Sequence, residues 1–93
     1  MKIDWDPLAL DDLDRLHDYL LEFSETAADD AIMTILDASD KLLKHPALGR
    51  PYKDKSQYRE LVIPFGQRAY ILRYHPLNDT IIILRIWHGL EER

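Results

Sequence analysis

Four arginines fall in the second half of the chain, on short apolar runs that read as strands: Arg59, Arg68, Arg73 and Arg85. Trp87 and His88 close the last of these runs. Arginine is a permanent cation with a planar fork of donors, suited to clamping phosphate or pairing with carboxylate. Strand alternation groups Arg59 with Leu61 and Ile63, Arg68 with Tyr70 and Tyr74, and Arg85 with Trp87. Arginines and aromatic rings sharing a sheet face suit recognition of RNA or protein by charge and stacking. The competing account is structural, with these arginines paired to helix acids. Alternation alone does not choose the face, because both faces of the last strand are apolar.

Other chemistry is thin. Asp11, Asp14 and Asp18 share one helix face, but no facing helix offers a Glu-x-x-His ligand set, so a solvated face is expected. His17 and His45 stand alone on helices, and His75 and His88 lack zinc spacing. With no cysteine there is no thiol nucleophile, no disulfide and no thiolate metal site. No phosphate loop, nucleophile elbow or Ser/His/Asp set occurs, and no cofactor is expected. Asn78-Asp79-Thr80 matches a glycosylation sequon that a cytosolic turn explains better.

The elements that must hold these residues follow from periodicity. Lys2 to Trp5 alternates as a short first strand. Asp6-Pro7 is a helix start, with the carboxylate accepting an otherwise unpaired amide and proline at the first helical position. Leu13, Leu16 and Leu20, extended by Leu8 or Ala9, form its core stripe. Ser24 or Thr26 caps a second helix to about His45, with Ala28, Ala31, Ile32, Ile35, Leu42 and Leu43 inward. The short link makes the two helices an antiparallel hairpin. Three strands follow, at 58–63, 68–75 and 80–88, separated by turns at Pro64-Phe65-Gly66-Gln67 and Pro76-Leu77-Asn78-Asp79. The fold class is α+β: strand, helical hairpin, then a three-stranded antiparallel meander.

At 93 residues the chain fits one domain, 1–93, with a thin core that a partner could stabilise. The formal charge of −5 is uneven. Residues 1–49 carry 4 basic and 12 acidic groups, a net −8, and residues 50–93 carry 8 and 5, a net +3. Overall acidity argues against nonspecific or direct specific DNA binding and leaves room for a confined basic patch. The first residues show no signal pattern, and the longest apolar run, Thr80 to Trp87, is too short to span a bilayer. A cytoplasmic protein without membrane contact is expected.

Five segments in order resemble the ParE/RelE superfamily of bacterial toxins from type II toxin–antitoxin pairs. They are Asp12-Leu13, then His45-Pro46-Ala47-Leu48-Gly49-Arg50, then Tyr58-Arg59-Glu60-Leu61-Val62-Ile63-Pro64. Tyr70-Ile71-Leu72-Arg73-Tyr74 and Ile82-Ile83-Leu84-Arg85-Ile86-Trp87-His88-Gly89 complete the set. The resemblance covers nearly the whole chain, and its element order is the one derived above.

That resemblance implies two mechanisms. RelE-like members cut messenger RNA on the ribosome, using basic side chains as acid, base and phosphate clamps. ParE-like members poison DNA gyrase with no catalytic residue of their own. Arg59 and Arg68 match basic positions of the RNase pattern, and His88 is retained. Leu61 stands where that pattern has a second basic residue, and Gly89 where it often has Arg or Tyr. The expectation is therefore a ParE-like gyrase inhibitor, with Arg85, Trp87 and His88 as the target-binding surface. Arg59, Arg68 and His88 are the catalytic set if the chain is instead a ribosome-dependent endoribonuclease. A non-toxic antitoxin-binding module is the third reading. All three imply a cognate antitoxin whose disordered segment folds onto the helical hairpin or a sheet edge.

Overall fold

The structure, a computed structural model, describes residues 1–53 and 57–91. Strand β1 (Lys2–Trp5) leads into helix α1 (Pro7–Leu21), and α2 (Glu25–Lys41) follows a three-residue link. A two-residue strand β2 (Arg50–Pro51) precedes β3 (Arg59–Phe65), β4 (Arg68–Leu77) and β5 (Thr80–His88).

Local chemistry accounts for the boundaries. Asp6 caps α1, its carboxylate accepting from the Leu8 N–H at 2.9 Å, with Pro7 at the first helical position. Ser24, rather than Thr26, caps α2 by accepting from Ala27 N–H. That helix ends at Lys41, short of the expected His45. Leu42 and Leu43 donate to Ser39 and Asp40 three residues back, so the chain tightens into turns before Pro46. The hairpin turns are also tighter than expected. Gly66 and Asn78 adopt left-handed φ of 61° and 57°, which lets two-residue connections close both hairpins. Pro64, Phe65, Pro76 and Leu77 stay in the strands.

The sheet order is β1-β5-β4-β3-β2, antiparallel except for β1 beside β5. The helices cover one face. Ala9 and Leu16 of α1 and Ala31 and Ile35 of α2 pack on Ile63, Tyr70, Leu72, Tyr74, Ile81, Ile83 and Ile86. Leu8, the alternative to Ala9 in the stripe, is exposed.

One irregularity sets the site. Arg73 pairs with Arg85 but Tyr74 pairs with Ile83, which leaves Leu84 as the extra residue of a β-bulge. Strict alternation from Ile81 and Ile83 would send Arg85 and Trp87 to the helix face. The bulge sends Ile86 there instead, and Trp87 to the opposite face with Arg73.

Candidate functional site

The strand arginines separate into distinct surroundings. Arg59 turns to the loop after α2, donating through Nη1 to Gly49 O at 2.6 Å and to Ala47 O at 3.4 Å. Arg73 lies on the outer face, paired with Glu60 at 2.9 and 3.0 Å. Its guanidinium sits 3.9 Å from the Tyr52 ring centre and 4.9 Å from that of Trp87. Trp87 is only 7% exposed, so little of its ring is left for a partner. Arg85 leaves the pairing suggested by alternation and reaches α1, where Nε and Nη2 donate to Asp12 at 2.8 and 3.1 Å.

Asp12 was not singled out by the acidic pattern, yet it is buried while Asp11, Asp14 and Asp18 are exposed. The signal was its place in the stripe, three residues after Ala9 and four before Leu16. β1 runs beside β5 only as far as Ile83, so the later N–H groups of β5 lose that neighbour. Asp12 Oδ2 accepts the Ile86 N–H at 2.8 Å in its place. Burial pushes the Asp12 carboxyl up. The Arg85 and Ile86 hydrogen bonds, with the charge of Arg85 and a contact from Arg15, outweigh it and hold the group below its ordinary value.

The remaining two candidates, Arg68 and His88, meet in a cleft of about 750 Å³ between α1 and the β3–β4 hairpin end. Tyr19 and Leu20 supply the helix wall, and Phe65 and Tyr70 the sheet wall. Tyr70 is 3% exposed, tilted against Phe65 and edge-on to His88. Burial pushes its hydroxyl pKa up, and the Glu91 charge across the cleft adds to that. Beyond β5 the chain folds back over the rim. Glu91 accepts from the His88 backbone N–H at 2.8 Å and from Arg15 Nη1 at 2.6 Å.

Arg59 does not share this cleft. It pairs with Tyr74 while Arg68 pairs with Phe65, and six residues at roughly 3.3 Å each place the two about 20 Å apart. Leu61, on the face toward the helices, packs against the core. Two other histidines have local contacts: His17 Nε2 lies 3.0 Å from Asp29 of α2, and His75 stacks edge-on to Tyr58. Among the described residues no group of His, Asp and Glu could hold a metal, and no helix is long and apolar enough to cross a membrane.

A strand, a helical hairpin and an antiparallel meander with a parallel edge strand define a small α+β domain. The chain belongs to the family described as ParE toxin of type II toxin–antitoxin system, parDE, whose model matches residues 3–93. It is 40% identical over 87 residues to Toxin RelE3 of Caulobacter vibrioides, covering 94% of this chain and 92% of the relative. Toxin RelE1 of the same organism is 40% identical over 82 residues, covering 88% and 86%. A solved structure, described as a chromosomal ParDE toxin–antitoxin system from P. aeruginosa, superimposes with a TM-score of 0.77. It covers 95% of each chain at 24% identity, a likeness of fold. The protein is thus a toxin of the ParE/RelE superfamily, and a cognate antitoxin is its implied partner.

Proposed function

We propose that this toxin acts in the cytoplasm by protein contact, inhibiting DNA gyrase, and that its antitoxin neutralises it. The observation that carries this reading is where the arginines are spent. Arg59 serves backbone carbonyls, Arg73 serves Glu60 and Arg85 serves Asp12. Cleavage of RNA by in-line attack needs a base, an acid and phosphate clamps around one atom. Of the expected set only Arg68 and His88 line a common cavity. Burial and the Glu91 charge push the hydroxyl of Tyr70 beside them up, which works against its serving as a base.

The target contact in this proposal is the C-terminal end of β5. Arg85, a third exposed, and His88 touch the target, while Trp87 acts through Arg73. The second reading, a ribosome-dependent endoribonuclease, draws on the cleft itself, where Arg68, His88 and Arg15 converge.

Induction of the chain alone in growing bacteria separates the readings. The gyrase reading expects growth arrest with broken chromosomal DNA and intact messengers. Messengers cut in translated frames, with cutting abolished by Arg68→Ala, would replace it with the RNase. Normal growth with abundant folded chain would leave an antitoxin-binding module.

A further inference from the structure

One side chain of α1 links the groups at the end of β5. Arg15 stands one helical turn after the buried Asp12. Its Nη1 donates to Glu91 Oε2 at 2.6 Å, and its Nη2 reaches Asp12 Oδ1 and the Ile86 carbonyl oxygen, each at 3.4 Å. Both carboxylates hold β5 in turn. Asp12 pairs with Arg85 and accepts the Ile86 N–H, and Glu91 Oε1 accepts the His88 N–H at 2.8 Å. Charge therefore alternates from Arg85 through Asp12 and Arg15 to Glu91, and the series ends on the backbone of His88.

The turn beyond His88 shows what this series fixes. The Leu90 N–H donates to His88 Nδ1 at 3.2 Å, which leaves the neutral ring with its proton on Nε2. A ring held in that way presents one donor in one direction. Arg15 and Glu91 are 41% and 30% exposed, so their pair adds little to stability. Its effect is geometric. Removing Arg15 lets the Glu91 carboxylate swing into solvent, away from the His88 N–H, and the Leu90 bond loosens with the turn.

We infer that Arg15 is a positioning residue of the toxin, preorganising Arg85 and His88 for the target through Asp12 and Glu91. The inference rests on the gyrase reading and adds to it a residue that touches no target atom. Contact groups already ordered in the free toxin need not be ordered on binding, which favours the complex. The Glu91 arm carries most of the effect, because it is the short one at 2.6 Å. Asp12 also keeps Arg85 through two bonds of its own. Loss of Arg15 is therefore felt first at His88.

The test pairs potency with a structural readout. Potency is the toxin concentration that gives half-maximal cleavage complexes with purified gyrase, and nitrogen NMR of the His88 ring reports its tautomer. Arg15→Gln loses about tenfold in potency, the upper worth of one contact side chain left to be ordered on binding. Its melting temperature moves by no more than about 4 °C, while the His88 ring passes from one tautomer to a mixture. Arg15→Lys keeps the cation for Glu91 and restores both the tautomer and most of the potency. Glu91→Ala matches Arg15→Gln, and the double variant is no weaker than Glu91→Ala alone, since the two act through one contact.

Unchanged potency of Arg15→Gln overturns the positioning role. So does lost potency with an unmoved His88 ring, or with full potency in Glu91→Ala, because Arg15 would then touch the target itself. The two proposals fail separately. Gyrase poisoning by wild type and Arg15→Gln alike removes only the positioning role. A wild-type chain that arrests growth but spares gyrase removes the target. Growth arrest then reads potency, and its loss in Arg15→Gln together with the altered His88 ring keeps the positioning role.

Discussion

The carboxylate of Asp12 has four donors around it: Arg85 Nε at 2.8 Å, Arg85 Nη2 at 3.1 Å, Ile86 N–H at 2.8 Å and Arg15 Nη2 at 3.4 Å. Its removal strands a buried N–H and leaves Arg85 without its acid. Asp12→Ala is therefore expected to cost about 1–3 kcal/mol of stability in urea titration. The pH dependence has a definite sign. The folded group titrates below its unfolded value, so its contribution is complete above about pH 4 and is lost as pH falls through the lower folded value. The stability gap between wild type and Asp12→Asn should shrink in acid and hold constant from pH 6 to 8. A gap that widens below pH 4 would contradict this account of Asp12. Tyr74 makes a second residue-scale claim. Its hydroxyl joins the loop after α2 to the sheet, so Tyr74→Phe should lose about 1–3 kcal/mol in urea titration.

At the scale of elements, the bulge in β5 decides which residues are core and which are surface. Helix stripes, caps and the strand after the second turn were legible, because they rest on spacing and on Asp6, Pro7 and Ser24. The bulge was not, since the apolar run from Ile81 to Ile86 supports either phase and only contact with α1 selects one. The surroundings of Arg85 and Trp87 depend on that phase. Strand β2 was equally invisible: two residues carry no period, and Arg50–Pro51 is fixed only by pairing with Arg59 and Glu60. The grouping of Arg68 with Tyr70 did follow from alternation, whereas the clasp of Arg15 on Glu91 joins segments that sequence spacing does not connect.

The loop at Gly49 offers a test of close packing against backbone strain. A Cβ there would lie 2.7 Å from Glu60 O and 2.8 Å from the Tyr74 ring, neither of which can yield easily. Gly66 has open space but a φ of 61°. Gly49→Ala should cost about 1–3 kcal/mol by overpacking and Gly66→Ala about 1 kcal/mol by strain. The reverse order would show that the loop relaxes.

For the whole molecule, an acid-rich helical layer packs on a sheet that brings Arg68 to the wall of the cleft. Exposed Tyr19 and Leu90 line that cleft, and exposed Phe23, in the link after α1, packs edge-on to Tyr19. A partner that buries them and binds only the folded chain stabilises it by mass action. At a hundredfold excess over the dissociation constant the gain is about 2.7 kcal/mol. The complex should therefore melt several degrees above the free toxin, and equal melting temperatures at saturation would speak against the coupling.

The central claim is that the toxin acts on gyrase by contact. The most direct measurement is a supercoiling reaction with purified chain, bacterial gyrase and ATP, scored for inhibition and for trapped, cleaved DNA. The account predicts cleavage complexes that accumulate with toxin and vanish when the antitoxin is added. Undisturbed supercoiling by folded chain that arrests growth would contradict it and move the target to the ribosome, with Arg68 and His88 as the residues to change next.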